Sequence, residues 1–356
     1  MESYSSGRRG APAKGVGVEM RARVQIPHSP PRNQPPLPYG LGGFLFKNKS
    51  YNNTYKGKNK MSNIQIAQVC GLCAGCTRAI NTVVQEIEKG NKVTIFKEIV
   101  HNKNVNEYLQ SLGAKCEENI DNLTNDNVVV IRAHGETPKT YDYFSQKGIE
   151  YRDCTCYNVQ AIHKLVKQYC DKGYKIIVIG KHKKAIHPEV LGTIGWANDD
   201  AIIVENEDDL IKLHDYKNEK FYLVCQTTFN MKKAEILISE IENILKKNNN
   251  EIIVNKSLCQ AQKNINESSV NLAKNSDVMI VVGGANSSNS LELFKNVSSV
   301  CDSIFIEDIS SYKQELEKSN LRISSETRVG ITAGASTRKE ELFELKKLIE
   351  QDLMNI

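Results

Sequence analysis

CYNVQAIHKLVKQYCDKGYKIIVIGKHKKAIHPE, residues 156–189, is the stretch whose reading decides the fold. A cysteine opens it, a helical pattern follows over 161–172, and a β-branched run over 175–179 reads as a buried strand. A polar loop from His182 to Glu189 closes it. The same order occurs twice more. Cys73 precedes a helical stretch at 77–89, a strand-like run at 92–96, and His101, which lies 28 residues after the cysteine. Cys259 precedes a helix, the run 278–282, and Ser287, again 28 residues on. Each unit then offers a second strand with a polar end: 128–131 with His134, 221–225 with Thr227 and Thr228, and 329–332 with Ser336. A further run, 252–255, also reads as a strand, while 232–247 and 339–353 read as helices.

Alternating strands and helices predict an α/β fold with mainly parallel strands. Ligands of such sheets gather beyond the carboxyl ends of the strands. Three repeats, each with one cysteine and polar strand ends, predict a pseudo-threefold body of three small units around a central site. The expected divisions are 1–60, then units at 61–155, 156–248 and 249–356.

The chain has 356 residues and a formal net charge of +5, but that charge is unevenly spread. Residues 1–60 hold eleven Lys or Arg against Glu2 and Glu19, a local +9, which leaves −4 for residues 61–356. Seven of the nine prolines and none of the ten cysteines lie in that first stretch. A basic, Pro-rich segment without hydrophobic periodicity cannot bury enough apolar area to offset its ordering entropy, so 1–60 is expected to be disordered. It lacks the apolar core of a secretory signal; its Arg-bearing, acid-poor composition is that of an organelle transit segment, and Met61 is an alternative start. A negative remainder gives no support to nucleic-acid binding. No apolar run reaches the roughly 18 to 20 residues of a membrane span. Ten cysteines without an export signal indicate reduced thiols in a cytoplasm-like compartment, or an organelle stroma if 1–60 is a transit segment.

Cys116, Cys170, Cys225 and Cys301 lie in or beside apolar patterns and read as packing residues. Cys73, Cys156 and Cys259 differ, because each precedes a helix, where the backbone field favours a thiolate. Three thiolates suit a zinc with an open position or an iron–sulfur cluster with one iron free of protein ligands. A local rival is the C-x2-C-x2-C run of Cys70, Cys73 and Cys76, the beginning of a ferredoxin-type run without its fourth cysteine and proline. Helical spacing puts Cys73 and Cys76 on one face, which permits a local metal clip.

His101, His134, Ser287, Ser288, Asn289 and Ser336 are neutral or cationic donors, and the Ser/Asn group sits in the Gly-rich loop 283–290. Glycine turns let backbone N–H groups reach an anion, and the six together suit a diphosphate. In His187-Pro188-Glu189 a rigid proline fixes two titratable side chains. A carboxyl in a dry pocket keeps its proton to higher pH, which makes Glu189 a candidate general acid and His187 its relay.

At this point the residues resemble a known family, the LytB-type 4-hydroxy-3-methylbut-2-enyl diphosphate reductases. The motifs, in order, are Gly71-Leu72-Cys73-Ala74-Gly75, Val100-His101-Asn102, Ala133-His134-Gly135 and Thr155-Cys156. They continue with His187-Pro188-Glu189-Val190 before Gly192-Thr193, then Gln226-Thr227-Thr228, Asn286-Ser287-Ser288-Asn289-Ser290, and Thr332-Ala333-Gly334-Ala335-Ser336. The resemblance covers about 62–350.

It implies a trefoil of three α/β units around one [4Fe-4S] cluster per chain, held by Cys73, Cys156 and Cys259. It implies reductive loss of the hydroxyl of an allylic alcohol diphosphate, with two electrons and two protons, to isopentenyl and dimethylallyl diphosphates. This is the last step of the methylerythritol phosphate route. Carried over by motif, the open iron would bind the substrate hydroxyl. Glu189 would supply the proton with His187 beside it, and Thr227 would orient the hydroxyl. His101, His134, Ser287, Ser288, Asn289 and Ser336 would grip the diphosphate, with Thr228 in the same wall. The electrons would come from a ferredoxin or flavodoxin type donor. Departures from the family pattern are Cys76 where Val is common, Tyr157 and Arg338 where Pro is common, and the stretch after Cys259.

Overall fold

The computed structural model describes residues 63–354, and the extension expected to be disordered, 1–60, lies outside the described residues. In chain order the strands are β1 (Ile64–Ile66), β2 (Val93–Phe96), β3 (Lys115–Glu117), β4 (Val128–Ile131), β5 (Tyr151–Asp153) and β6 (Lys175–Ile179). They continue with β7 (Ala201–Val204), β8 (Lys220–Cys225), β9 (Glu251–Asn255), β10 (Val278–Val282), β11 (Asp302–Ile306) and β12 (Val329–Ala333). They form three four-stranded sheets of one design, ordered β3-β2-β4-β5, β7-β6-β8-β9 and β11-β10-β12-β1. Every pairing is parallel. The chain is thus an α/β trefoil.

The central strands are continuous apolar runs because helices cover both faces of each sheet. All four residues of β4 are buried, as are all five of β10 and of β12. Ile95, Val130, Ile177, Leu223, Ile280 and Ile331 are fully buried. Each such side chain contributes about 1.5–3 kcal/mol relative to an exposed one.

The sheets do not follow the linear divisions expected from the sequence. β1, within 61–155, bonds to β12 and closes the third sheet, with Ile64 opposite Val329. β9, within 249–356, bonds to β8 in the second sheet, with Phe221 opposite Ile252. The outer strand of each sheet therefore leads into the crossover helix of the next. β1 precedes helix Ala74–Glu88, β5 precedes Tyr157–Asp171, and β9 precedes Gln260–Ala273. Cys73, Cys156 and Cys259 stand at these three junctions.

Candidate functional site

Each of the three cysteines is the N-cap of its crossover helix. In each, the carbonyl starts the helix, accepting from Thr77, Gln160 or Lys263. In each, the N–H is bonded to a residue just beyond the end of a central strand. Cys73 donates to the Ala335 carbonyl at 3.2 Å, Cys156 to Ala133 at 2.9 Å, and Cys259 to Thr227 at 2.7 Å. One backbone bond, repeated three times, thus hangs a thiol from the same point of each sheet. The sulfurs converge: Cys156 is near enough to both Cys73 and Cys259 for each to act on it electrostatically.

The three thiols fit a metal cluster. They are unoxidised, they face helix N-termini, and Gly75 leaves a cradle between them. A Cβ at Gly75 would lie 3.3 Å from Cys156 Sγ and 3.8 Å from Cys73 Sγ. Cys76 joins this group, since its thiol hydrogen-bonds to that of Cys73. That bond lowers the Cys73 thiol and raises that of Cys76, which burial raises further.

The central strands deliver the rest. The chain beyond β6 carries His187-Pro188-Glu189 at the start of helix Pro188–Trp196, with proline at its favoured first helical position. His187 caps this helix, its Nδ1 accepting from the Glu189 N–H at 3.2 Å. The Glu189 side chain is 2% exposed, and both its oxygens are held by one residue beyond β8. The Thr227 N–H donates to Oε1 at 2.6 Å and the Thr227 hydroxyl to Oε2 at 2.8 Å. Burial raises the carboxyl to about 7, against the opposing pull of the two Thr227 bonds. Thr228 instead accepts from the Gln226 amide at 2.9 Å.

His101 and His134, beyond β2 and β4, meet His187. The ring centroids are 5.0 Å apart for His101 and His134, 5.3 Å for His134 and His187, and 6.3 Å for His101 and His187. One nitrogen from each lies within 4.8 Å of the others, so the trio can hold one ion or present ring N–H groups to one anion. Burial pushes His134 well below the ordinary histidine value, and pushes His187 down to about 3. His101 also contacts Glu98, Nδ1 to Oε2 at 3.0 Å.

The third unit closes on this trio. A Cβ on Gly284 would fall 2.7 Å from the His101 carbonyl oxygen, so glycine is what lets the 283–290 loop approach. Ser287 caps helix Ser288–Ser298 and accepts from Ser290 N–H at 3.3 Å and from its hydroxyl at 3.1 Å. Ser288 and Asn289 open that helix, and the Ser288 side chain lies outside the described residues. Ser336 Oγ, beyond β12, and His134 Nδ1 are buried with no hydrogen-bond partner among the described residues. Buried polar atoms are rarely left so, and both fit a ligand's oxygens.

Two groups were not singled out from the sequence. Arg132, two residues before His134, is 7% exposed and faces Glu136, which also binds Lys97 at 2.9 Å. Its positive charge helps keep His134 and His187 neutral. Position beside a strand end was the available signal. Gln262, in the stretch that departs from the family after Cys259, buries both amide atoms without a partner among the described residues. The other departures are accommodated: Arg78 stacks on Tyr157 at 4.3 Å, and Arg338 binds Glu341 at 3.1 Å and stacks on Tyr108 at 5.0 Å.

Comparisons with known proteins agree with this geometry. The family model described as LytB protein matches residues 64–350. A 4-hydroxy-3-methylbut-2-enyl diphosphate reductase of Clostridioides difficile (strain 630) is 37% identical over 276 residues, covering 77% of this chain and 94% of the relative. One from Thermoanaerobacter sp. (strain X514) is 36% identical over 279 residues, covering 77% and 92%. A solved (E)-4-hydroxy-3-methyl-but-2-enyl diphosphate reductase, described as the terminal enzyme of the non-mevalonate pathway, superposes with a TM-score of 0.62 at 29% identity, covering 81% of this chain and 99% of that one. The solved Plasmodium falciparum reductase gives 0.70 at 27%, covering 80% and 87%. Fold, site geometry and these matches together make this chain a member of the LytB family.

Proposed function

We propose that this chain reduces 4-hydroxy-3-methylbut-2-enyl diphosphate to isopentenyl and dimethylallyl diphosphates. The observation that carries the reading is the repeated N–H bond from Cys73, Cys156 and Cys259 to the strand ends, beside the buried Glu189–Thr227 pair. A [4Fe-4S] cluster on the three cysteines would supply the electrons and a Lewis-acidic iron for the hydroxyl. A ferredoxin or flavodoxin type protein would supply those electrons.

Glu189, raised by burial to about 7, keeps its proton well above the ordinary carboxylate range and gives it to the departing hydroxyl. Thr227 fixes the carboxyl and orients that hydroxyl. His101, His134, Ser287, Asn289 and Ser336, with Ser288 at the helix start and Thr228 in the same wall, grip the diphosphate. Charge-assisted bonds to the phosphate oxygens hold the allylic carbon next to the acid. His187 sits between the acid and this grip, and caps the Glu189 helix.

Among the described residues, no helix is long and apolar enough to cross a membrane. Free thiols at all ten cysteines support a reducing compartment, the cytoplasm or an organelle stroma.

The test is iron and sulfide content of anaerobically purified protein, its visible spectrum with and without the allylic diphosphate, and turnover with a reduced one-electron donor. About four iron and four sulfide per chain and a substrate-dependent spectrum are expected. Zinc in place of iron, or no turnover by cluster-loaded protein, overturns the reading.

A further inference from the structure

The site described above uses three of the ten cysteines, and the other seven are not alike. Cys70 donates to the Ala67 carbonyl at 3.1 Å inside the apolar core of the third unit. Cys154 and Cys225 are buried, at 2% and 1% exposure, and Cys116 is exposed on an outer strand. Cys76, unlike these four, meets the convergent thiols. It sits one helical turn after Cys73, with its N–H directed at Cys73 Sγ at 3.5 Å. Its thiol bonds to the Cys73 thiol and lies within the electrostatic reach of Cys156 and Cys259.

We propose that Cys76 is a fourth thiol ligand of the metal site, filling the position that three cysteines leave open until substrate enters. This rests on the cluster reading above. Cys73 and Cys76 form C-x2-C, a spacing that places two thiolates on neighbouring irons of one cluster. A valine would fill the same volume, but only sulfur offers a lone pair to iron.

Four thiolates hold all four irons, so the resting protein keeps the iron that a three-cysteine site loses first to oxidants. Substrate entry is then a ligand exchange. The bond between iron and Cys76 sulfur would break as one to the substrate oxygen forms, and the sulfur would leave as a thiol with the proton released by the incoming hydroxyl. No electron moves in that exchange.

The experiment uses anaerobic, cluster-loaded full chain, wild type and Cys76→Val, oxidised briefly with ferricyanide. Iron content and the paramagnetic signal of a three-iron cluster are read. Wild type is expected to keep its irons, while Cys76→Val loses one iron in four and gains the signal. A second reading needs no variant: Mössbauer spectra of wild type should show four thiolate-type irons alone, and one distinct iron after the allylic diphosphate is added. A distinct iron in substrate-free wild type, or equal iron loss from both proteins, overturns the proposal and leaves the three-cysteine reading standing. Wild type free of iron and sulfide overturns both.

Discussion

Thr227 holds the Glu189 carboxyl at both oxygens, through its N–H at 2.6 Å and its hydroxyl at 2.8 Å, while its own carbonyl accepts from the Cys259 N–H at 2.7 Å. One strand-end residue therefore fixes the distance between the candidate acid and a candidate metal ligand. Neither can shift without straining the backbone on one side or the other of this one residue.

Replacing Glu189 with Gln keeps the shape and removes the proton. Turnover is expected to fall by about 10²–10⁴-fold, the usual contribution of a positioned acid, with the cluster spectrum unchanged. Wild-type turnover by Glu189→Gln would end the acid assignment. In the parent protein the rate should decline above about pH 7, where the carboxyl loses its proton. The stability sign agrees. The folded carboxyl near 7 lies above the ordinary 4.5, so stability is full below about 4.5 and falls as pH rises through 7. The buried histidines act equally in both proteins, so the denaturant midpoint of wild type relative to Glu189→Gln should fall as pH rises from 5 to 8.

Thr227→Val removes the hydroxyl donor and spares the N–H. Loss of a bond that stabilises the charged carboxylate should move the alkaline limb of the rate profile upward. A buried acceptor left unsatisfied costs about 1–3 kcal/mol. An unmoved pH limb with normal stability would show the hydroxyl to be idle.

His134 and His187 are held neutral in the free protein by burial. A diphosphate between them favours imidazolium, so binding should take up protons and weaken as pH rises. Calorimetry of diphosphate binding in buffers of different ionisation enthalpy measures that uptake, which should shrink in His134→Asn. Because His187 drops from 6.5 to about 3, its effect on folding runs the other way from Glu189. Stability is present above about 6.5 and is lost as pH falls toward 3.

Gly75→Ala puts a methyl group 3.3 Å from Cys156 Sγ, in the cradle between two thiols. Iron loading is expected to fall severalfold while the circular dichroism stays that of a folded chain. Cys259→Ser should lose or degrade the cluster more completely; an intact cluster spectrum in that variant would break the three-cysteine assignment.

The buried strands were legible because a parallel sheet covered on both faces demands continuous β-branched runs. β2, β4, β6, β8, β10 and β12 all read that way, with ends within a residue or two. β3 and β5, Lys-Cys-Glu and Tyr-Arg-Asp, were not legible, because outer strands of three residues carry mixed, half-exposed side chains. Helix Tyr157–Asp171 begins four residues before the stretch read from the sequence, because its first turn holds one buried apolar residue, Val159, after the exposed Tyr157 and Asn158.

The sequence by itself determined the threefold order of cysteine, helix, strand and polar loop, because each of those local choices is made by neighbours along the chain. It also determined which strand ends carry polar and titratable side chains. Only the tertiary structure decided that β1 closes the sheet of β12 and that β9 joins β8, since both pairings join distant or differently grouped segments. The meeting of His101, His134 and His187, the grip of Thr227 on Glu189, and the approach of Cys76 to Cys156 and Cys259 have the same origin. Each depends on where three sheets, built from residues far apart in sequence, place their carboxyl ends, and that placement is fixed by packing between units.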